Sequence, residues 1–247
     1  MVRGTDPDTK GRARRGGAVR IRYPADVSEF TSAATPTEVV VDLLGMLAYG
    51  QLVAFDRMAA DATLAPDLPR RAVLSEMAGS EIANYRRIAD RLGALGVDPE
   101  EATAPFRDAL AEYHDQTEPN DWLEALTKAY VGDSIADDFV REVARHLGPP
   151  DRDLVMDVLH DTRYADFAAA EIKTALAADP AVANRLSMWA RRLVGEAITQ
   201  AQRVAASRPG FAMLFASADG DLGAVADMLR RLTTAHTARM AEVGLNN

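Results

Sequence analysis

The 247-residue chain contains no cysteine. That excludes a disulfide framework, a thiolate metal site and a thiol nucleophile. Aromatic residues make up only 6% of the chain and histidines number four, so imidazole chemistry has few addresses available. No apolar run reads as the roughly 20 uninterrupted residues of a membrane span. The pair Arg14-Arg15 is followed by Gly16-Gly17-Ala18-Val19-Arg20, which is no apolar h-region, so a twin-arginine export signal is excluded. The expected location is cytoplasmic, with no membrane partner. No P-loop, dinucleotide fingerprint or Ser-His-Asp pattern is found.

What is present is helix. Residues 1–36 carry few large apolar groups and no sustained period, and they read as a disordered basic tail. Within residues 1–23 seven basic side chains stand against Asp6 and Asp8, whereas the chain as a whole has a net charge of −9. The tail could touch nucleic acid through counterion release. The acidic body, residues 37–247, makes nucleic acid otherwise an unlikely partner. From Thr37 onward apolar residues recur at helical spacing, and Pro and Gly fall between the periodic segments. The pattern predicts six helices, at about 37–62, 69–95, 120–147, 150–178, 180–207 and 219–243. Two short hairpins flank a crossover of about 25 residues, which holds a short helix near 100–113. That connectivity predicts an all-α, ferritin-like four-helix bundle with one long crossover and two additional C-terminal helices.

Each of the first four helices places a polar residue in its apolar stripe. Gln51 lies among Leu44, Leu47, Phe55 and Met58, and Glu81 among Leu74, Met77, Tyr85 and Ile88. Asp133 is bracketed by Leu126, Tyr130 and Val140, with Asp137 on the shoulder, and Asp161 by Leu154, Val158 and Ala165. Unpaired buried carboxylates cost several kcal/mol each, so these levels are expected to meet. Residues three apart on a helix share a face; the partners of Glu81 and Asp161 at that spacing are Asn84 and Tyr164. Glu196 and Gln200, one turn apart in the fifth helix, extend the polar centre or serve as ordinary interhelical contacts. Asp121 reads as a helix N-cap.

Several segments resemble the ferritin-like proteins similar to the tRNA methylthio-isopentenyl-adenosine hydroxylase. They are Asp42 to Gly50, Phe55-Asp56-Arg57, Asp121 to Glu124, Lys128 to Asp133, Arg191 to Ala197, Gln200 to Ala205 and Ala235 to Met240. The resemblance implies a di-iron, oxygen-activating ancestry, with metal ligands matched at Glu81, Asp133 and Asp161. It also implies Glu at position 51 and His at positions 84 and 164, where this chain has Gln51, Asn84 and Tyr164. The di-metal site is therefore expected to be degenerate. None of His114, His146, His160 and His236 has an address that replaces the missing imidazoles.

The expected function is a non-catalytic binding or assembly protein with no cofactor, taking an unidentified protein partner or small ligand, with a homodimer as a further option. The alternative is a metal-dependent oxygenase with an unusual carboxylate-rich site, using iron or manganese. A storage ferritin ranks third. Without imidazole the site would favour hard cations. In the metal-free form Gln51, Asn84 and Tyr164 are expected to donate hydrogen bonds to the carboxylates.

Overall fold

A computed structural model describes residues 37–208, 210–211 and 223–247. The basic segment 1–36 and most of the connection before the last helix lie outside the described residues. Among the described residues there is helix and no strand. Helix α1 spans Thr37–Asp61 and tightens into a 3-10 turn at Ala62–Leu64. Helix α2 spans Leu68–Ala94. The Asp67 side chain accepts the Arg70 backbone N–H at 2.9 Å, and Pro69 lies in the first turn, so capping fixes where α2 begins. At its other end Gly96 takes a φ of 78°. The Val97 N–H reaches back to the Leu92 carbonyl, closing the helix with a glycine stop.

The crossover is itself helical: α3 at Pro99–Thr103, a 3-10 turn at Ala104–Phe106 and α4 at Arg107–Gln116. It lies tight on α1, because a Cβ on Gly45 would fall 2.2 Å from the Ala102 carbonyl oxygen. Only glycine permits that approach. Asp121 caps α5 (Trp122–Thr127) by accepting the Glu124 N–H at 2.9 Å.

The third predicted helix is continuous but not uniform. Between α5 and α6 (Ser134–Ala144) residues Lys128–Asp133 form a π-helical segment. Such segments insert a residue into the α-helical register and often mark functional sites. The fourth predicted helix, 150–178, is two: α7 (Pro149–Val158) and α8 (Arg163–Ala178). The break has a local cause. The Arg141 guanidinium donates to the Leu159 carbonyl at 2.6 Å, and the Asp161 carboxylate accepts the Arg163 N–H at 3.1 Å. These side chains offer the backbone an alternative to the helical ladder. Helices α9 (Val182–Ser207) and α10 (Gly223–Glu242) complete the chain.

The core falls into two apolar clusters. One gathers Val40, Leu43, Leu44, Ile88, Leu92, Phe106, Val143 and Val155. The other gathers Leu126, Val131, Ala168, Ile172, Leu186, Leu193 and Met240. The contribution of α1 to the first cluster ends at Ala48, and Gln51 follows one turn later. The candidate site therefore lies on the side chains that continue each helix past the first cluster. Ion pairs tie α2 to α7 and α8: Arg70 with Glu171 at 2.6 Å, Arg91 with Asp151 at 2.6 Å, and Arg87 with Asp157.

The segment Thr37–Leu64 corrects one expectation. With a mean hydropathy of 1.5 over its most apolar window, it is long and apolar enough to cross a membrane by length and composition. In the bundle 44% of that window is buried, with Leu43, Leu44 and Ala48 fully so.

Candidate functional site

The π segment decides what the site contains. In a regular α-helix, residues five apart point about 140° away from each other, at roughly 100° per residue. In a segment whose hydrogen bonds run from i to i+5, they lie nearly one above the other. Lys128 and Asp133 are five apart, at the two ends of the segment. The Lys128 ammonium accordingly holds down the carboxyl of Asp133, against the upward push of burial and of Asp137, Asp61 and Glu81. In return Asp133 supports the charge of Lys128, whose ammonium burial and Arg57 both disfavour. Lys128 is only 4% exposed, and its Nζ donates to the Thr117 carbonyl at 2.8 Å. A buried ammonium so placed is the largest feature of the site absent from the sequence reading.

Asp133 is exposed, although desolvation by the neighbouring protein is the first cause that raises its carboxyl. The two observations fit a recess open to water. Asp137 is alike, half exposed yet pushed up to about 6 by burial, with Arg141 and Arg239 opposing.

Glu81 faces the same recess. Burial pushes its carboxyl up to about 7, the charges of Asp137 and Asp161 add to that, and the side chain of Asn84, one turn on, lowers it. Tyr164 lies against Asp61 and Asp133, and burial followed by those two charges raises its phenol well above the usual range. Glu196 reaches the recess from α9 and, with Asp133, acts on the buried Tyr113 phenol.

Asp161 does not join them. It sits in the break between α7 and α8, where Arg163 grips it through its backbone N–H, its Nε at 2.9 Å and its Nη2 at 2.6 Å. That pairing, against a smaller effect of burial, holds its carboxyl below the usual value. Its charge is felt by Glu81, but its oxygens are engaged. The wheel that aimed Asp161 at the core assumed an unbroken helix. The expected donor network also closes only in part. Asn84 serves Glu81; Gln51 leaves its buried Oε1, an acceptor that a carboxylate cannot satisfy, without a hydrogen-bond partner.

Three further polar residues converge here that the sequence reading did not place in the site. Asp61, at the end of α1, is 7% exposed, and burial pushes it up to about 6 against the charges of Lys128 and Arg57. His114, assigned to the crossover, is 8% exposed; burial, Lys128 and Arg57 push its imidazole down to about 3, so it is neutral. Tyr113 packs edge-on against His114, with ring centroids 5.0 Å apart. A Cβ on Gly132 would lie 2.3 Å from the Tyr113 hydroxyl, so the glycine admits that hydroxyl to the π segment. One signal for these residues was visible. Lys128 and Gly132 lie in a stretch with the family resemblance, yet the periodicity gave no reason to turn Lys128 inward.

The iron that a ferritin-like fold brings to mind does not fit this donor set. A buried cation already faces Asp133 and Asp61, and Asp161 is spent on Arg163. Among the described residues no three carboxylate or imidazole groups converge as metal ligands. His160 is exposed at the helix break, and His236 is buried in α10 with its Nε2 3.3 Å from Asn247 Oδ1. What the arrangement can do is hold a proton or two near neutrality and present mixed charges to a solute entering the recess.

Comparison with known proteins agrees with the architecture. No protein of curated function matches the chain. The model of a family described as the ferritin-like domain of actinomycetes matches residues 34–218, which takes in α1 through α9 and most of the chain. On that match and the helical bundle the chain belongs to the actinomycete ferritin-like domain family.

Proposed function

We propose that this ferritin-like protein descends from a di-iron hydroxylase of the tRNA methylthio-isopentenyl-adenosine type and now works as a non-catalytic binding or assembly protein. The observation that carries the reading is the grip of Arg163 on Asp161 through its backbone N–H, Nε and Nη2, which engages a carboxylate that the resemblance matches to a metal ligand. The Lys128 ammonium adds to it by lending positive charge to Asp133 and Asp61, as a bound metal would. The changes at Gln51, Asn84 and Tyr164 point the same way. They replace the charged or metal-binding groups that the resemblance implies with neutral side chains, two of them amides. Loss of metal chemistry leaves a polar recess on a helical scaffold, which suits recognition rather than oxygen activation. An oxygenase would need Asp161 freed from Arg163.

Metal analysis of protein produced with ample iron tests the proposal. Well under one iron per chain is expected, with no oxo-bridged absorption band. About two irons per chain, together with that band, would return the protein to the oxygenases.

A further inference from the structure

Next to the carboxylates lies a corner of the opposite character. Arg57 and Asp61 are one turn apart on α1, Tyr113 and His114 come from α4, and Lys128 opens the π segment. Lys128, Asp61 and His114 are each more than nine-tenths buried. Yet the Arg57 Nε, the His114 Nδ1 and the Tyr113 hydroxyl are buried without a hydrogen-bond partner. Lys128 uses one N–H on the Thr117 carbonyl, and its ammonium stands 5.4 Å from the centre of the Tyr113 ring. Both cations act on His114 and on Asp61, so the four groups are neighbours. Buried donors left unpaired are unfavourable. Three such atoms from α1 and α4, beside the Lys128 ammonium, describe a receptor for an acceptor-rich group.

We propose that Arg57, Lys128, Tyr113 and His114 bind the carboxylate of a small organic monoanion. This deepens the reading of the bundle centre as a binding site and rests on it. A planar guanidinium fork matches the two oxygens of a carboxylate, and an ammonium beside it adds a point charge. The charge balance selects a monoanion. Arg57 and Lys128 carry two positive charges against the carboxyls of Asp61 and Asp133, both of which hold their protons more tightly than usual; one proton kept between them leaves room for a single negative charge, and a phosphate dianion would exceed it. The unpartnered Gln51 Oε1, on α1 as are Arg57 and Asp61, is the acceptor that a hydroxyl or amide elsewhere on the same ligand could use.

The test is calorimetric titration of the full chain at constant ionic strength with propionate, with benzoate and with inorganic phosphate, alongside thermal melts. One carboxylate should bind per chain and raise the melting midpoint, with phosphate giving no saturable heat. Arg57→Met and Lys128→Met should each weaken binding by about tenfold or more, since each removes a charge-assisted hydrogen bond. Arg230→Met, on the outer face of the last helix, should bind as the parent does. If Lys128→Met does not fold, Arg57→Met and Tyr113→Phe carry the comparison, the latter weakening binding a few-fold. The proposal is overturned if neither carboxylate saturates, if the Arg57 variant binds as tightly as the parent, or if phosphate binds more tightly than the carboxylates. Iron content of the same preparation separates the two ideas. A di-iron centre sinks the proposed function, whereas metal-free protein that takes up no carboxylate sinks this site alone.

Discussion

Lys128 and Asp133 stand at the two ends of a π-helical segment, and the five-residue spacing brings their opposite charges to one face. In an unbroken α-helix the two side chains would diverge, and the lysine would need another place in a bundle where it is now 4% exposed. Removing the cation should expose its role. Lys128→Met leaves Asp133 without its counter-charge while keeping the volume of the side chain. Unfolding free energy should fall by about 1–3 kcal/mol at pH 7.5, where Asp133 is largely ionised and Lys128, lowered to about 8, is still largely protonated, and by less than for a fully buried pair because water reaches Asp133. The loss should shrink at pH 5.5, where the carboxyl is protonated. Urea denaturation at the two pH values measures this; equal losses at both would separate the pair.

The raised carboxyls set a pH dependence whose sign is unusual for a protein with a pI near 5.0. Glu81 is pushed up to about 7, and Asp61 and Asp137 to about 6. A raised acid binds its proton more tightly in the folded state, so its stabilising contribution is present at low pH and is lost as pH rises through the folded value. Unfolding free energy should therefore decline between pH 5 and pH 8, by up to about 1.4 kcal/mol per pH unit for each proton released. Glu81→Gln should flatten that decline and give a more stable protein at pH 8. A slope unchanged in the variant would show that Glu81 titrates as an ordinary surface carboxylate.

Gly132 and Tyr113 form a size-matched pair. Gly132→Ala puts a methyl 2.3 Å from the phenolic oxygen and should cost about 1–3 kcal/mol by overpacking. Tyr113→Phe alone should be near neutral, because the hydroxyl it removes has no partner. The double variant should recover most of the glycine loss, and a double-mutant cycle reads the coupling. Additive losses would mean that the alanine acts through the π backbone instead.

Rebuilding a metal site needs more than its three replaced ligands. Gln51→Glu, Asn84→His and Tyr164→His together restore the residue types that the resemblance implies, but Arg163 still holds Asp161. The triple variant should retain little ferrous or manganous ion on gel filtration. Adding Arg163→Ala frees the fourth carboxylate and should raise both metal retention and the melting midpoint with metal, by RT ln(1 + [L]/Kd). Two metals held by the triple variant without that change would show that Asp161 turns inward unaided.

The sequence by itself determined the helices and most of their ends. Apolar residues at a period near 3.6, Asp67, Asp98 and Asp121 as N-caps, and the stop at Gly96 are local features that act within a turn. The long crossover set the bundle topology, and the polar positions Gln51, Glu81 and Asp133 marked the level of the recess. Tertiary structure decided which side chains share that recess, because two departures from the ideal helix changed the register. The π segment turned Lys128 toward Asp133, and the break at Leu159–Thr162 handed Asp161 to Arg163. A π turn forms when packing against neighbouring helices outweighs regular hydrogen bonding, and nothing in the period of one helix encodes those neighbours. Asp61 and His114 came into the site for the same reason: each is ordinary in its own helix, and only the packing of the helices brings it within reach of the Lys128 charge.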